Sequence, residues 1–193
     1  LPDLAARIER LIAARLETIP LLVVGGGPAA DIVRRWDEIH RLGEARSHWL
    51  AIRSLGLNES LCRELLPRCV AVVTRSDILR EAAAERLPLL HAEAFLRADD
   101  SHADALPHSW AVTSDSIAAR AAICFEADEL VLAKSVSLPD GDASAVRAAG
   151  LVDEHFAQLA ARIPRVGWVD LRQNATIAAW LNDGRPADLK PSV

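Results

Sequence analysis

The chain has 193 residues, enough for a domain with a sizeable buried core, and 51% of them are apolar, which excludes extended disorder. Its formal net charge is −5 with acids and bases interleaved, so it lacks the basic stripe of a nucleic-acid binder. Apolar runs are short, such as Ile19 to Val24, and no basic stretch leads into an apolar segment and a cleavage site, so neither a membrane span nor a signal peptide is predicted.

Leu4, Ile8, Leu11, Ile12 and Leu16 recur at helical spacing and predict an amphipathic helix from about Pro2 to Leu16. Pro20 ends that region, and Leu21 to Val24 reads as a short buried strand that runs straight into Gly25, Gly26 and Gly27. Pro28 suits the first turn of a following helix, with Asp31 near its positive end and Ile32, Val33, Trp36 and Ile39 on one face. After Gly43 a second helix is predicted from Glu44 to Leu55, and Asn58 reads as the N-cap of a short helix through Leu66. Val70 to Val73 is a predicted strand, Ser76 caps a helix to about Glu85, and Leu89 to Leu96 is expected to be extended.

Asp99 to Pro107 is a polar, acidic loop, and Thr113 or Ser114 opens a helix through about Cys124. Glu129 to Ala133 is a strand, and Ser137 to Asp142 is a turn-rich loop. Two helical stretches follow at Ala143 to Ala149 and Asp153 to Arg162, then a strand at Val166 to Leu171 and a short helix at Ala175 to Leu181. From Asn182 onward the polar, Pro-containing tail is expected to be loose. No repeat or Gly/Ser/Pro-rich linker divides the sequence, so one domain over 1–193 is expected. Strands alternating with helices predict an α/β fold, a mostly parallel sheet with helices on both faces. Ligands of such sheets bind at the carboxyl ends of strands, which directs attention to the segments after Val24, Trp110 and Ala133.

The first of these is Val23-Val24-Gly25-Gly26-Gly27-Pro28. Three glycines between a strand and a helix let backbone N–H groups approach a ligand closely, and the helix start adds partial positive charge, which makes an anion or phosphate cradle. The segment has neither the G-K-[ST] of a P-loop nor a G-x-G-x-x-G fingerprint, and a tight turn without a ligand is the alternative. The second is Thr113, Ser114, Asp115 and Ser116, four polar side chains at one helix mouth where capping needs only one. Asp115 there could orient a cationic group. The third is Leu130-Val131-Leu132-Ala133-Lys134-Ser135-Val136, followed by Asp140, Gly141 and Asp142. A lysine at the end of a buried strand can neutralise a transferring phosphate, or can simply snorkel to solvent.

Weaker signals surround these. His102, Asp104 and His108 lack a helical i, i+4 pair, so no metal site is assigned to them. His40 and His48 flank a glycine-containing turn and read as structural or pocket-lining, and the five tryptophans read as core or interface residues. Cys62, Cys69 and Cys124 are odd in number, form no C-x-x-C pair and sit in apolar stretches, which predicts buried reduced thiols and a reducing, cytoplasmic setting.

Together the three segments resemble the amino acid kinase superfamily. Val23-Val24-Gly25-Gly26-Gly27 resembles its second glycine-rich turn, which holds the phosphate-accepting substrate. Thr113-Ser114-Asp115-Ser116-Ile117-Ala118-Ala119 resembles its aspartate-containing substrate helix, and Ala127 to Val136 resembles the strand and loop that approach the nucleotide. Trp110, the L-A-K-S-V strand and Gly150-Leu151-Val152-Asp153 are similar to the branch that phosphorylates an aminomethyl-furan phosphate in methanofuran biosynthesis. The resemblance covers most of the chain.

It implies a three-layer, carbamate kinase-like sandwich and an ATP- and Mg²⁺-dependent transfer to a small-molecule phosphate acceptor. Lys134 and Asp115 would be catalytic; Gly25, Gly26, Gly27, Thr113 and Ser114 would bind substrate; Lys134, Ser135 and Asp140 would bind nucleotide. It also implies a homo-oligomer. Two departures stand out. Ser135-Val136-Ser137-Leu138-Pro139-Asp140-Gly141 replaces the commoner T-D-V-D-G-V loop, and the family's K-x-G-G-S turn has no counterpart. With no methionine in the sequence and Leu1 at its start, an N-terminal truncation is expected. A non-catalytic nucleotide- or anion-binding or storage protein on the same fold is the rival reading. A dinucleotide-binding module fits poorly, because the region where its second strand should close with an acidic residue reads as two helices.

Overall fold

In the computed structural model, residues 2–15, 17–138, 143–183 and 187–189 are described. They build a mixed α/β architecture whose short strands lie in two small sheets. The chain divides into two compact units, a continuous one (Ile19–Ala118) and a discontinuous one (Leu1–Thr18 with Ala119–Val193).

The discontinuous unit opens with α1 (Leu4–Ala13). The continuous unit then holds α2 (Gly27–His40), α3 (Glu44–Leu65), β1 (Cys69–Val72), α4 (Arg75–Ala83), β2 (Leu87–Leu90) and α5 (Ala92–Asp99). Helix α6 (Ser114–Cys124) begins in the continuous unit. The discontinuous unit resumes with β3 (Leu130–Lys134), α7 (Ala143–Ala148), α8 (Phe156–Ala160), β4 (Val166–Asp170), α9 (Asn174–Asp183) and β5 (Ala187–Asp188).

In the continuous unit β1 and β2 pair in parallel, from Cys69↔Leu87 to Val72↔Leu90. All four residues of β2 are buried, as a strand covered on both faces requires. The strand predicted at Leu21 to Val24 reduces to one parallel bridge, Leu22↔Leu89. Leu22 N–H donates to Pro88 O at 2.9 Å and Leu90 N–H to Leu22 O at 2.8 Å. Below it the ladder would need an N–H from Pro88, which proline does not have; above it the Ala92 N–H that Val24 O would accept goes to Glu59 Oε1 at 3.0 Å.

Two helix readings change. The predicted break between Leu55 and Asn58 is absent: α3 runs unbroken over 22 residues, with Gly56 inside it and Asn58 in its interior rather than at an N-cap. A single glycine weakens a helix by about 1 kcal/mol, too little to interrupt one whose Ile52, Leu55 and Glu59 are buried by their neighbours. The segment expected to be extended through Leu96 turns into α5, because the His91 ring accepts the Ala94 N–H at 3.3 Å and caps a helix that buries Ala92, Phe95 and Leu96. Helix α4 is capped by Thr74, not Ser76. Thr74 accepts the Asp77 N–H at 3.2 Å while Asp77 accepts the Thr74 N–H at 3.1 Å, a reciprocal capping box; the Thr74 hydroxyl donating at 2.7 Å, then the Arg80 guanidinium, hold the Asp77 carboxyl down to about 2.

In the discontinuous unit β3 and β4 pair in parallel, with Leu130↔Val166 through Lys134↔Asp170 in register. The tail read as loose contributes β5, antiparallel to β4 at Gly167↔Asp188 and Trp168↔Ala187, and Leu189 is buried. Val169, Leu171, Ile177 and Trp180 form a core that Leu4 and Leu11 of α1 pack against. Arg7 of α1 donates to Leu171 O at 2.9 Å, and Trp180 Nε1–H donates to Leu11 O at 3.1 Å. The cysteines form no disulfide: Cys69 is buried, and Cys62 and Cys124 are part-buried, with burial pushing the Cys62 thiol up. Trp168 and Trp180 are core residues, whereas Trp36 lies 47% exposed. No helix among the described residues is long and apolar enough to cross a membrane.

Candidate functional site

The glycine turn follows the Leu22 bridge and leads into α2. Gly26 adopts the right-handed helical conformation (φ −69°, ψ −33°), and Gly27 follows with φ +49°. A right-handed residue followed by a left-handed one turns successive N–H groups to one side, making the concavity that binds anions. Only glycine takes the positive φ at Gly27 without strain. Gly26 is required for another reason: a Cβ there would stand 2.6 Å from the Ala30 Cβ.

Asn58, from the middle of α3, holds the other side of the turn. Its Nδ2 donates to Gly25 O at 2.6 Å and to Gly26 O at 2.9 Å. Since both partners are carbonyl oxygens, the atom facing them must be the amide nitrogen. The adjoining residue Glu59 serves a second helix start, its Oε1 accepting the Ala92 N–H at 3.0 Å.

Ser114 stands against the same turn, for a Cβ on Gly25 would lie 3.3 Å from Ser114 Oγ. The segment that carries it is anchored upstream. Trp110 Nε1–H donates to Asp37 Oδ2 at 2.8 Å, the Arg34 guanidinium lies 5.1 Å over the Trp110 ring, and His48 Nδ1–H donates to Ser109 O at 3.2 Å. The Trp110 bond, with the Gly43 N–H, holds the Asp37 carboxyl below its usual range. Thr113 precedes α6, and Asp115 and Ser116 in its first turn are buried. Two of the three segments singled out in the sequence, the glycines and the Thr113–Ser114 helix mouth, are thus neighbours within the continuous unit.

The third segment lies in the discontinuous unit, at the carboxyl end of β3. Lys134 Nζ donates to Leu151 O at 2.9 Å and lies 5.8 Å from the centre of the Trp168 ring. Ser135 is exposed. Asp140 falls outside the described residues. The register partner of Lys134 is Asp170, buried to 3% exposure. Its carboxylate accepts the Ser137 hydroxyl at 3.0 Å and the Arg172 N–H at 2.9 Å, and Gln173 Nε2 donates to Ser137 Oγ at 2.5 Å. The loop after β3 is therefore tied to the loop after β4.

His108 donates to Asp100 at 2.7 Å and stacks on His48 at 5.3 Å, while His102 meets Asp99. No three His, Cys, Asp or Glu side chains among the described residues stand together as a metal cage. Asn58 and Asp170 are the residues that sequence reasoning missed. A polar amide inside a long helix beside a triple-glycine turn, and an aspartate closing a β-branched strand, were the signals available.

No family model matches the chain. Over 116 residues, 60% of its length, it is 29% identical to the [5-(aminomethyl)furan-3-yl]methyl phosphate kinase of Methanocaldococcus jannaschii. The chain spans about half the length of that relative, with 51% of it covered. The likeness supports a relationship to kinases of small phosphate-bearing metabolites.

Proposed function

We propose that the chain is an ATP-dependent phosphotransferase of the amino acid kinase superfamily, acting on a small phosphate monoester such as the one for which its relative is named. The observation that carries this reading is the Gly26–Gly27 concavity beside Ser114, a pair of backbone donors built to receive a phosphate. In this reading the N–H groups of Gly25 to Gly27 and the hydroxyls of Thr113 and Ser114 hold the acceptor phosphate. Asp115 orients charged groups at the mouth of α6. Lys134 neutralises the nucleotide phosphates, with Ser135 and Asp140 completing that side.

Bound ATP would supply the transferable phosphoryl group, and Mg²⁺ suits a site with no carboxylate cage among the described residues, because nucleotide phosphates bring most of its ligands. A carbamate kinase-like sandwich, a single domain over 1–193, cytoplasmic location and homo-oligomeric assembly belong to the same reading.

Calorimetric titration with a non-hydrolysable ATP analogue and Mg²⁺, followed by an ADP-release assay with [5-(aminomethyl)furan-3-yl]methyl phosphate, tests it. Saturable nucleotide binding with acceptor-dependent ADP release is the expected result. Nucleotide binding without transfer would favour an anion- or nucleotide-binding role, and no binding would remove the kinase assignment.

A further inference from the structure

We propose that Asn58 is the positioning residue of the acceptor-phosphate site, the group that makes the glycine turn an anion receptor by holding its carbonyls away from the ligand. This rests on the reading of Gly25 to Gly27 as that site.

A trans peptide carries its C=O and N–H on opposite sides, and the chain has no cis bonds among its described residues. With Gly25 O and Gly26 O both bonded to Asn58 Nδ2, the N–H groups on the far ends of those two peptides, those of Gly26 and Gly27, must face away from α3 together. Neither N–H has a partner among the described residues. One amide side chain therefore fixes two peptide planes at once.

The need for such a clamp follows from the composition of the turn. Three consecutive glycines populate positive and negative φ about equally, so an unsupported turn would rotate its carbonyls into the concavity for part of the time and repel an anion. Gly26 O also accepts the Ala30 N–H, at 3.3 Å, but Gly25 O has Asn58 as its partner. An amide also suits the position, because a donor with two hydrogens can serve two carbonyls while carrying no charge that would compete for the phosphate. Glu59, one residue on, cannot substitute: its carboxylate accepts and is committed to Ala92 N–H.

The test uses inorganic sulfate, a tetrahedral dianion that does not titrate near neutrality, followed at the amide resonances of Gly26 and Gly27 in the full chain. Three proteins are compared: wild type, Asn58→Asp and Asn58→Ala. Asn58→Asp is isosteric but turns an acceptor toward two acceptors; alanine removes both bonds and favours helix more than asparagine does, so α3 is retained. Wild type should shift both amides saturably, with Asn58→Ala about tenfold weaker and Asn58→Asp weaker still. Lowering the pH should rescue Asn58→Asp as the new carboxyl takes up a proton and regains a donor, while wild type changes little. That rescue is a readout no merely structural role would produce. No shift of either amide in wild type would overturn the site and the clamp together. A saturable wild-type shift with unchanged affinity in Asn58→Ala, or an Asn58→Asp that does not recover at low pH, would overturn the clamp alone.

Discussion

The two polar mouths of this protein are built on opposite plans. At the glycine turn of the continuous unit the donors are backbone N–H groups of Gly26 and Gly27, held outward and left without a partner among the described residues. At the end of β3 and β4 in the discontinuous unit the groups are side chains already engaged: Lys134 with the Leu151 backbone carbonyl, Ser137 with Asp170, Gln173 with Ser137. A ligand at the first site adds bonds, whereas a ligand at the second must exchange them. Were both mouths to take ligands, the first would bind without rearrangement and the second only with it.

The strongest way to break this contrast is Lys134→Ala. If the lysine leaves Leu151 to meet a nucleotide, turnover in the ADP-release assay should fall about 100-fold or more, as loss of a preorganised charge at a transferring group does. Unchanged turnover, with only a small loss of stability, would leave Lys134 as a partner of Leu151. Gly26→Ala attacks the other mouth. The added Cβ meets Ala30 at 2.6 Å, and the forced shift should cost about 1–3 kcal/mol in denaturant unfolding and abolish the sulfate response. Gly43→Ala, at φ +84° with nothing near, is the matched control and should cost about 1 kcal/mol while leaving sulfate binding intact.

Asp170→Ala removes the acceptor of the Ser137 hydroxyl and the Arg172 N–H in a part-buried place, at a cost of about 1 kcal/mol. It should also speed amide exchange along Ser135 to Leu138, which Asp115→Asn should not. The smallest effect concerns pH. Burial pushes the His48 imidazole below its ordinary value, His108 adds to this, and the Ser109 carbonyl and Asp100 oppose it. With the folded-state value depressed, the unfolded chain takes up the proton first. Stability is thus complete above about pH 6.5 and declines as pH falls through the folded-state value. His48→Gln should flatten that decline in denaturant melts recorded between about pH 7 and 5.

What could be read from the sequence was what neighbours in sequence decide. The short apolar runs at Val70, Leu130 and Val166 mark β1, β3 and β4 within a residue or so, and Thr113–Ser114 marks the start of α6. Asn58 was misread because a helix-capping residue two positions after a glycine looks like a helix start, and its real partners lie 33 and 32 residues earlier in the chain. Asp170 was passed over for the same reason, its bond to Ser137 spanning 33 residues. The single bridge at Leu22 is bounded by Pro88, which has no N–H, and by the Ala92 N–H held by Glu59, neither of which a local pattern at Leu21 to Val24 reveals. Local propensity places elements; the bonds that shape the two mouths are set by which elements meet.

One feature of the fold bears on the order in which it can form. The Arg7 bond to Leu171 and the Trp180 bond to Leu11 join residues 164 and 169 positions apart. On the ribosome, α1 emerges before the continuous unit and keeps its apolar face uncovered until β4 and α9 have been synthesised; the continuous unit, by contrast, has all its parts in hand once Ala118 has left the exit tunnel. Such a long loop closure comes late and slowly. A helix made before the continuous unit is thus seated only after it, and its apolar face is open to chaperones in the interval.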